Sequence, residues 1–247
     1  MTSEPSVPLY GWVLQLDGDH PQLEFWAQCF PQRPVHIFEK ASSFYCEADT
    51  LDELPDDSRI VFERGTELLQ TAYAALRLWR SHLEPVKILF LIKRRADGSW
   101  GEPAGFTSVS WNGWASSVYF VEGHPNQSPA EMFMELANRD QRVRSALDDF
   151  ASPSLDMSCL RRIAETIWTE FDPKDQGRAQ NRMVADGLAD RQPLERFFRT
   201  VNCGKQAAHS PFRFQKYTDS MRLGDAQEFL AGLLERWIRS KFRDTAT

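Results

Sequence analysis

The sequence has few of the side chains that bind metals or form disulfides: four cysteines and five histidines in 247 residues. No two cysteines form a C-x-x-C pair, and too few histidines lie near them to complete a tetrahedral zinc site. We therefore expect no metal or cofactor, and we interpret the cysteines as buried thiols in a reducing compartment. They are Cys29, Cys46, Cys159 and Cys203.

Long apolar runs and the common catalytic signatures are also missing. The strongest apolar run, residues 88–92, has the length of a strand and falls far short of the roughly 20 residues that cross a bilayer. Residues 1–8 lack the basic region and apolar run of a secretory signal peptide. There is no G-x-G-x-x-G, P-loop, G-x-S-x-G or H-E-x-x-H motif. We expect a cytoplasmic protein that does not bind a membrane.

The composition that is present is typical of a globular protein. Hydrophobic residues make up 42% and charged residues 26%, which argues against a disordered or fibrous chain. A chain of 247 residues forms one large domain or two small ones. Its 8 tryptophans and 17 phenylalanines bury large areas, so we expect an aromatic core rather than an exposed stacking surface.

Hydrophobic patterning in the first half predicts a sheet with flanking helices. Residues 10–16 alternate as in a half-buried strand, whereas the nearly continuous apolar run at 86–92 predicts a strand covered on both faces. Helical spacing over 57–83 predicts a long helix, in which Gly65 costs up to about 1 kcal/mol relative to alanine. Further strands are predicted at 35–39, 44–47, 106–111 and 114–121, and a short helix at 23–30.

A helix-start signature marks the boundary between two predicted domains. Ser128 suits the N-cap position, Pro129 the first helical residue and Glu131 the third. We predict an α+β domain over residues 1–125, with a mixed or antiparallel sheet, and an all-α domain over 126–247. Helices are expected from 128, over 160–171, around 194–201 and over 226–242, with an exposed loop at 172–182 and an irregular segment at 202–220.

Charge is distributed unevenly along the chain. The net charge is -6, and residues 1–125 carry 10 basic and 17 acidic side chains, against 19 and 18 in residues 126–247. Within residues 174–222 there are 10 basic and 5 acidic side chains. This local excess can attract a polyanion, although a solvated arginine-rich face is a common alternative.

One segment between two predicted helices gathers polar side chains around a glycine. Residues 197–209 read Phe-Phe-Arg-Thr-Val-Asn-Cys-Gly-Lys-Gln-Ala-Ala-His, and an amphipathic helix closes the chain. This pattern resembles the C-terminal segment of a group of uncharacterised bacterial proteins. Over residues 160–242 the chain also resembles the HEPN superfamily, helical domains that often cleave RNA or belong to anti-phage and toxin systems.

The HEPN resemblance implies a catalytic role for His209, with Asn202, Lys205 and Arg199 around it. In HEPN nucleases an arginine precedes the catalytic histidine at a short spacing, so that both side chains address the scissile phosphate. This sequence departs from that pattern, because Asn202 occupies the matching position. A lone histidine is more often structural, so both interpretations of His209 stay open.

The same region offers a pattern suited to nucleic-acid binding. Aromatic rings that can stack on bases alternate with cations that can meet phosphates. A packed loop with rings inside and cations outside is the alternative. The rings belong to Phe212, Phe214 and Tyr217, and the cations to Arg213, Lys216 and Arg222.

Together these patterns predict a non-enzymatic bacterial interaction protein, in the setting of a defence or toxin-type system. Its helical half is expected to bind a protein partner or RNA or another single-stranded nucleic acid, and homo-oligomerisation is left open. The alternative is a HEPN-like, metal-independent ribonuclease. Loss of RNA cleavage in His209→Ala separates the two hypotheses.

Overall fold

The computed structural model describes residues 9–80, 83–105, 129–152, 154–202 and 220–244. Two compact units divide the chain, and residues 9–79, 83–105 and 129–135 form the first. The second comprises residue 80 and the described residues from 136 onward. The predicted α+β class is confirmed, since strands and helices form the first unit and the described part of the second is helical. The predicted boundary at 123–128 lies outside the described residues.

The described part of the first unit contains a six-stranded antiparallel sheet in the order β2-β3-β4-β1-β5-β6. Four predicted strands are confirmed, and those predicted at 106–111 and 114–121 lie outside the described residues. The strands are β1 (Leu9–Asp17), β2 (Pro31–Gln32), β3 (Val35–Lys40), β4 (Ser43–Ala48), β5 (Lys87–Arg95) and β6 (Ala104–Gly105).

Two of the described helices cover one face of the sheet, the inner face. The long helix α3 (Ser58–Trp79) lies so close to it that a Cβ on Gly65 would stand 2.9 Å from Leu14 Cδ1. The helix α1 (His20–Cys29) also packs on the sheet, and its Phe25 ring stacks on Trp79 with the centroids 5.8 Å apart. The short helix α2 (Asp49–Asp52) follows β4 directly. This inner face holds the core of the first unit.

The prediction that both faces of strand β5 are covered is confirmed at Leu91 and Ile92, which lie on opposite faces, but not at Leu89. Ile88, Leu91 and Ile92 are buried, whereas Lys87 and Leu89 are exposed. An apolar run reports hydrophobicity at every position, but it does not show which positions another layer covers. The strand does lie inside the sheet, between β1 and β6.

The second unit packs helices around a central one. The helix α6 (Met157–Phe171) contacts each of the other four described helices that lie wholly within this unit. In the part of the chain that is described, no helix combines the length and hydropathy needed to span a membrane. The remaining helices are α4 (Ala130–Arg139), in which the division between the units falls, α5 (Gln141–Phe150), α7 (Gln176–Ala185), α8 (Arg191–Asn202) and α9 (Leu223–Asp244).

The exposed loop predicted at 172–182 is wrong, because most of it is helix α7. The Asp175 carboxylate accepts a hydrogen bond from the backbone N–H of Arg178 and thereby caps the helix. Ala179 and Met183, four residues apart, are fully buried. A helix that buries such a narrow stripe is otherwise polar, so its sequence has the composition of a loop.

Candidate nucleic-acid interface

Most of the predicted site residues lie outside the described part of the chain. Three are described, namely Arg199, Asn202 and Arg222, and they flank the segment 203–219 on its two sides. These three residues therefore give the positions of the two ends of the described chain next to the predicted interface. The residues outside the described ranges are Lys205, His209, Phe212, Arg213, Phe214, Lys216 and Tyr217.

The last turn of α8 is hydrogen-bonded to the residues that precede α9. The Thr200 hydroxyl accepts a hydrogen bond from the backbone N–H of Met221 at 2.9 Å. It also donates one to the backbone carbonyl of Arg196 at 2.8 Å. Thr200 and Met221 are buried, so solvent does not compete with this bond. The described residues on the two sides of 203–219 therefore lie close together, and we call residues 199–202 and 220–222 the junction.

Packing of α8 explains why the junction is polar on its outside. The apolar face of the helix is buried, and the Phe197 ring lies 5.1 Å from that of Phe229 on α9. The opposite side leaves Arg199 exposed and Asn202 half-buried. Arg222 is exposed one residue before α9 begins. The helix pair thus presents two guanidinium groups and an amide beside the segment that the sequence singles out.

The ion pairs at the junction are weak enough for a polyanion to replace them. Arg199 lies 3.3 Å from Glu195, which also lies 3.8 Å from Arg191. The side chains of Arg199 and Glu195 are 55% and 40% exposed, and such exposed pairs contribute at most about 1 kcal/mol. A phosphate that approaches Arg199 therefore displaces an interaction of little strength.

The described part of the junction offers binding groups rather than a proton acceptor. Arg199 and Asn202 can donate hydrogen bonds to phosphate oxygens, but residues 199–202 and 220–222 contain neither a histidine nor a carboxylate. Over the whole described part of the chain, no three His, Cys, Asp or Glu side chains form a group that could hold a metal ion. These residues can position a phosphate, and a general base would have to come from elsewhere.

The sequence interpretation missed a cluster of rings on the outer face of the sheet, opposite α3. Phe38 and Tyr45 are partners across β3 and β4, and their ring centroids are 5.8 Å apart. Trp100 meets Tyr45 edge to face at 4.8 Å, and His36 stacks on Phe38 at 4.8 Å. The Lys40 ammonium lies 3.7 Å from the centroid of the Trp100 ring. We call these five residues the aromatic cluster.

Part of this cluster was visible in the sequence. Alternation in β3 and β4 places His36, Phe38 and Tyr45 on the face opposite Ile37 and Cys46, which could have indicated an aromatic sheet surface. Trp100 follows the turn after β5 and has no such signal. Its place beside Tyr45 depends on the strand order, which the sequence does not contain.

Beside the cluster, charged side chains fix α2 against the sheet. Arg94 contacts Glu47 and Asp52, each at 3.0 Å, and Arg33 contacts Asp52 at 2.6 Å. The side chains of Arg94, Glu47 and Asp52 are less than one-fifth exposed. A Cβ on Gly11 would stand 2.0 Å from Asp52 Oδ1, so β1 needs glycine there. Asp49 also pairs with Arg33, so this ion-pair cluster sets two arginines against three carboxylates.

Comparisons with known proteins do not assign the chain to a family. No protein-family model, curated protein or solved structure gives a match. The interpretation of the junction and of the aromatic cluster therefore depends on their own residues and geometry.

Proposed function

We propose that this chain is a non-enzymatic interaction protein whose helical half binds single-stranded RNA at the junction and the segment 203–219. The observation that supports the proposal is the buried hydrogen bond between Thr200 and Met221. It brings the end of α8, which carries Arg199 and Asn202, close to residues 220–222, which include Arg222. Arg199 and Arg222 flank the segment in sequence, and we propose that they contact the same ligand as its cations.

Charge and composition favour a single-stranded polyanion as the ligand. Residues 174–222 have twice as many basic as acidic side chains, in a chain with a net charge of -6. Attraction to a polyanion must therefore be local rather than a property of the whole chain. The aromatic residues of segment 203–219 alternate with its cations, and rings that stack on bases need unpaired nucleotides.

RNA binding is tested with a fluorescent single-stranded oligonucleotide by anisotropy over a range of salt concentrations. The variant Arg213→Ala/Lys216→Ala is expected to bind roughly tenfold to a hundredfold more weakly at about 0.1 M salt, because each phosphate contact on a single strand contributes about 0.7 to the slope of log K against log salt. The slope itself is expected to fall by about 1.4. Arg199→Ala and Arg222→Ala are each expected to lower it by about 0.7.

The matched control is Arg59→Ala/Arg64→Ala on α3, which removes the same charge. Both arginines are more than half exposed and pair with glutamates on their own helix. At about 0.1 M salt this variant is expected to lose much less affinity than Arg213→Ala/Lys216→Ala, because it changes only the long-range charge and removes no phosphate contact. Equal loss in the two double variants, or binding that is indifferent to salt, would refute the proposal and favour a protein partner.

The ribonuclease alternative predicts a different outcome in the same samples. It would use His209 with Asn202, Lys205 and Arg199, without a metal. Electrophoresis of the RNA after incubation in EDTA measures cleavage directly. Products that His209→Ala eliminates would replace the binding proposal with the ribonuclease. Intact RNA, bound with the expected salt slope, would support the non-enzymatic function.

A further inference from the structure

The outer face of the sheet presents partly exposed rings in a fixed arrangement. All four rings of the aromatic cluster are partly exposed. Phe38 and Tyr45 are held by strand register, since they are direct partners in the β3–β4 pair. A ring that is only partly covered keeps apolar area available, and every nucleobase has a flat face that can stack on it.

The position of Lys40 indicates how such a base would be held. Its ammonium lies over the Trp100 ring, 3.7 Å from the centroid, which is where a stacked base would lie. Lys40 is exposed at the end of β3, so its long side chain can move off the ring. The ammonium would then be close enough to meet the phosphate of the same nucleotide.

The carboxylate nearest to the rings of the cluster is paired with arginines, although the first half of the chain is acidic. Glu47 is the partner of His36 in the β3–β4 pair, and Arg94 and Arg33 lie 3.0 and 3.7 Å from its carboxylate. Glu39, next to Lys40 in sequence, alternates to the opposite face and lies 4.0 Å from His20. Lys40 is therefore the charge that the cluster offers to a ligand.

We infer that the aromatic cluster binds an unpaired base of single-stranded RNA, with the base stacked on Trp100 and Lys40 on the adjoining phosphate. The inference rests on the proposed function for the class of ligand. It adds a base-binding site in the first unit, separate from the residues that form the junction.

The site is tested by photocrosslinking the full chain to an oligouridine that contains 5-iodouridine, followed by digestion and mass spectrometry. Iodouracil reacts with aromatic side chains on which it stacks, so an adduct is expected on Trp100 or Tyr45. Trp100→Leu is expected to eliminate this adduct and to lower the affinity roughly fivefold to a hundredfold, the usual effect of losing one stacked base.

Two further variants keep the test valid if Trp100→Leu disturbs the sheet. Lys40→Gln leaves the rings in place, so it should keep the adduct while the salt slope falls by about 0.7. Trp168→Leu removes a partly exposed indole from α6 and should change neither the adduct nor the salt slope. Adducts confined to residues 203–219, with full affinity in Trp100→Leu, would overturn this inference and leave the proposed function standing. An unmodified chain that binds no RNA would overturn both.

Discussion

At the scale of single residues, Asp140 joins three helices of the second unit. It precedes α5, and its carboxylate caps that helix by accepting hydrogen bonds from two backbone N–H groups. It also accepts one from Lys241 on α9 at 2.7 Å, and Lys241 contacts Glu170 on α6 at 2.6 Å. Desolvation raises the pKa of Asp140, but Lys241 and the backbone donors outweigh it, so the pKa lies below the usual aspartate value.

Asp140→Asn should therefore destabilise the protein in a pH-dependent way. Asparagine keeps the cap but loses the charge that faces Lys241, which should cost about 1–3 kcal/mol at neutral pH. Because the native pKa is lowered, the stabilisation is complete above the unfolded pKa of about 3.9 and is lost as the pH falls through the native value. Urea denaturation at several pH values should show the two proteins converging in acid.

Asp175→Asn is the matched control for this change. Asp175 also caps a helix, but among the described residues it pairs only with Arg178, at 3.4 Å, and both side chains are about half exposed or more. Its replacement should alter the free energy of unfolding little at any pH. A difference between Asp140→Asn and the unmodified protein that does not change with pH would contradict the ionic role of Asp140.

At the scale of elements, Gly65 shows how packing overrides helix propensity. The sequence marks it as the weak point of α3, where alanine would be worth up to about 1 kcal/mol more. In the structure a Cβ there would stand 2.9 Å from Leu14 Cδ1 and 3.1 Å from Ile88 Cδ1. The glycine thus allows α3 to approach β1 and β5 closely, a reason that the helix sequence alone does not contain.

Gly65→Ala is consequently expected to lower the free energy of unfolding by about 1–3 kcal/mol, because an added methyl group overpacks the helix against the sheet. Gly224→Ala in the first turn of α9 is the control, since a Cβ there has nothing within 4 Å. That change should be neutral or slightly stabilising. Thermal or urea denaturation measures the free energy of unfolding of both variants. A Gly65→Ala protein that is more stable than the unmodified one would show that the side chains of the sheet move aside for the added methyl group.

The elements also show where sequence interpretation stops. Periodicity in the sequence predicts the elements whose pattern is regular. Three strands alternate between apolar and polar residues, and three helices bury a wide apolar stripe: β1, β3 and β4, and α3, α6 and α9. Helix α7 buries only a narrow stripe, and β5 has apolar residues on a face that is partly open. In α7 and at Leu89 of β5, the composition of the sequence therefore predicts the wrong burial. Burial depends on contacts with residues that are distant in the chain.

At the scale of the whole molecule, net charge should oppose the function that we propose. A chain with a net charge of -6 repels RNA at long range, while its local cations attract it at short range. Glu63→Gln/Glu67→Gln on the exposed side of α3 reduces the long-range repulsion without altering the junction or the aromatic cluster.

This variant should associate with RNA faster than the unmodified chain at about 20 mM salt and at the same rate at about 0.5 M, where charges are screened within a few ångströms. The dissociation rate should stay unchanged. Stopped-flow fluorescence measures both rates. Faster association that persists at high salt would mean that the two glutamates act through local contacts instead.

The sequence alone could indicate part of the candidate interface. The polar segment and its cations are contiguous in the chain, so residue type and spacing were enough to single them out. The meeting of Thr200 with Met221 and of Trp100 with Tyr45 joins residues 21 and 55 positions apart. Such contacts depend on helix pairing and strand order, which no local pattern specifies.

The bond between Thr200 and Met221 also bears on how this protein can diverge. Because the chain leaves α8 and returns to α9 at nearly the same point, the length of what lies between has little influence on the helix pair. Closing a longer loop costs only about 0.6 kcal/mol for each doubling of its length. Changes of length between residues 202 and 220 should therefore cost little folding free energy, so that, under the function that we propose, ligand preference can change there while the helical scaffold stays the same.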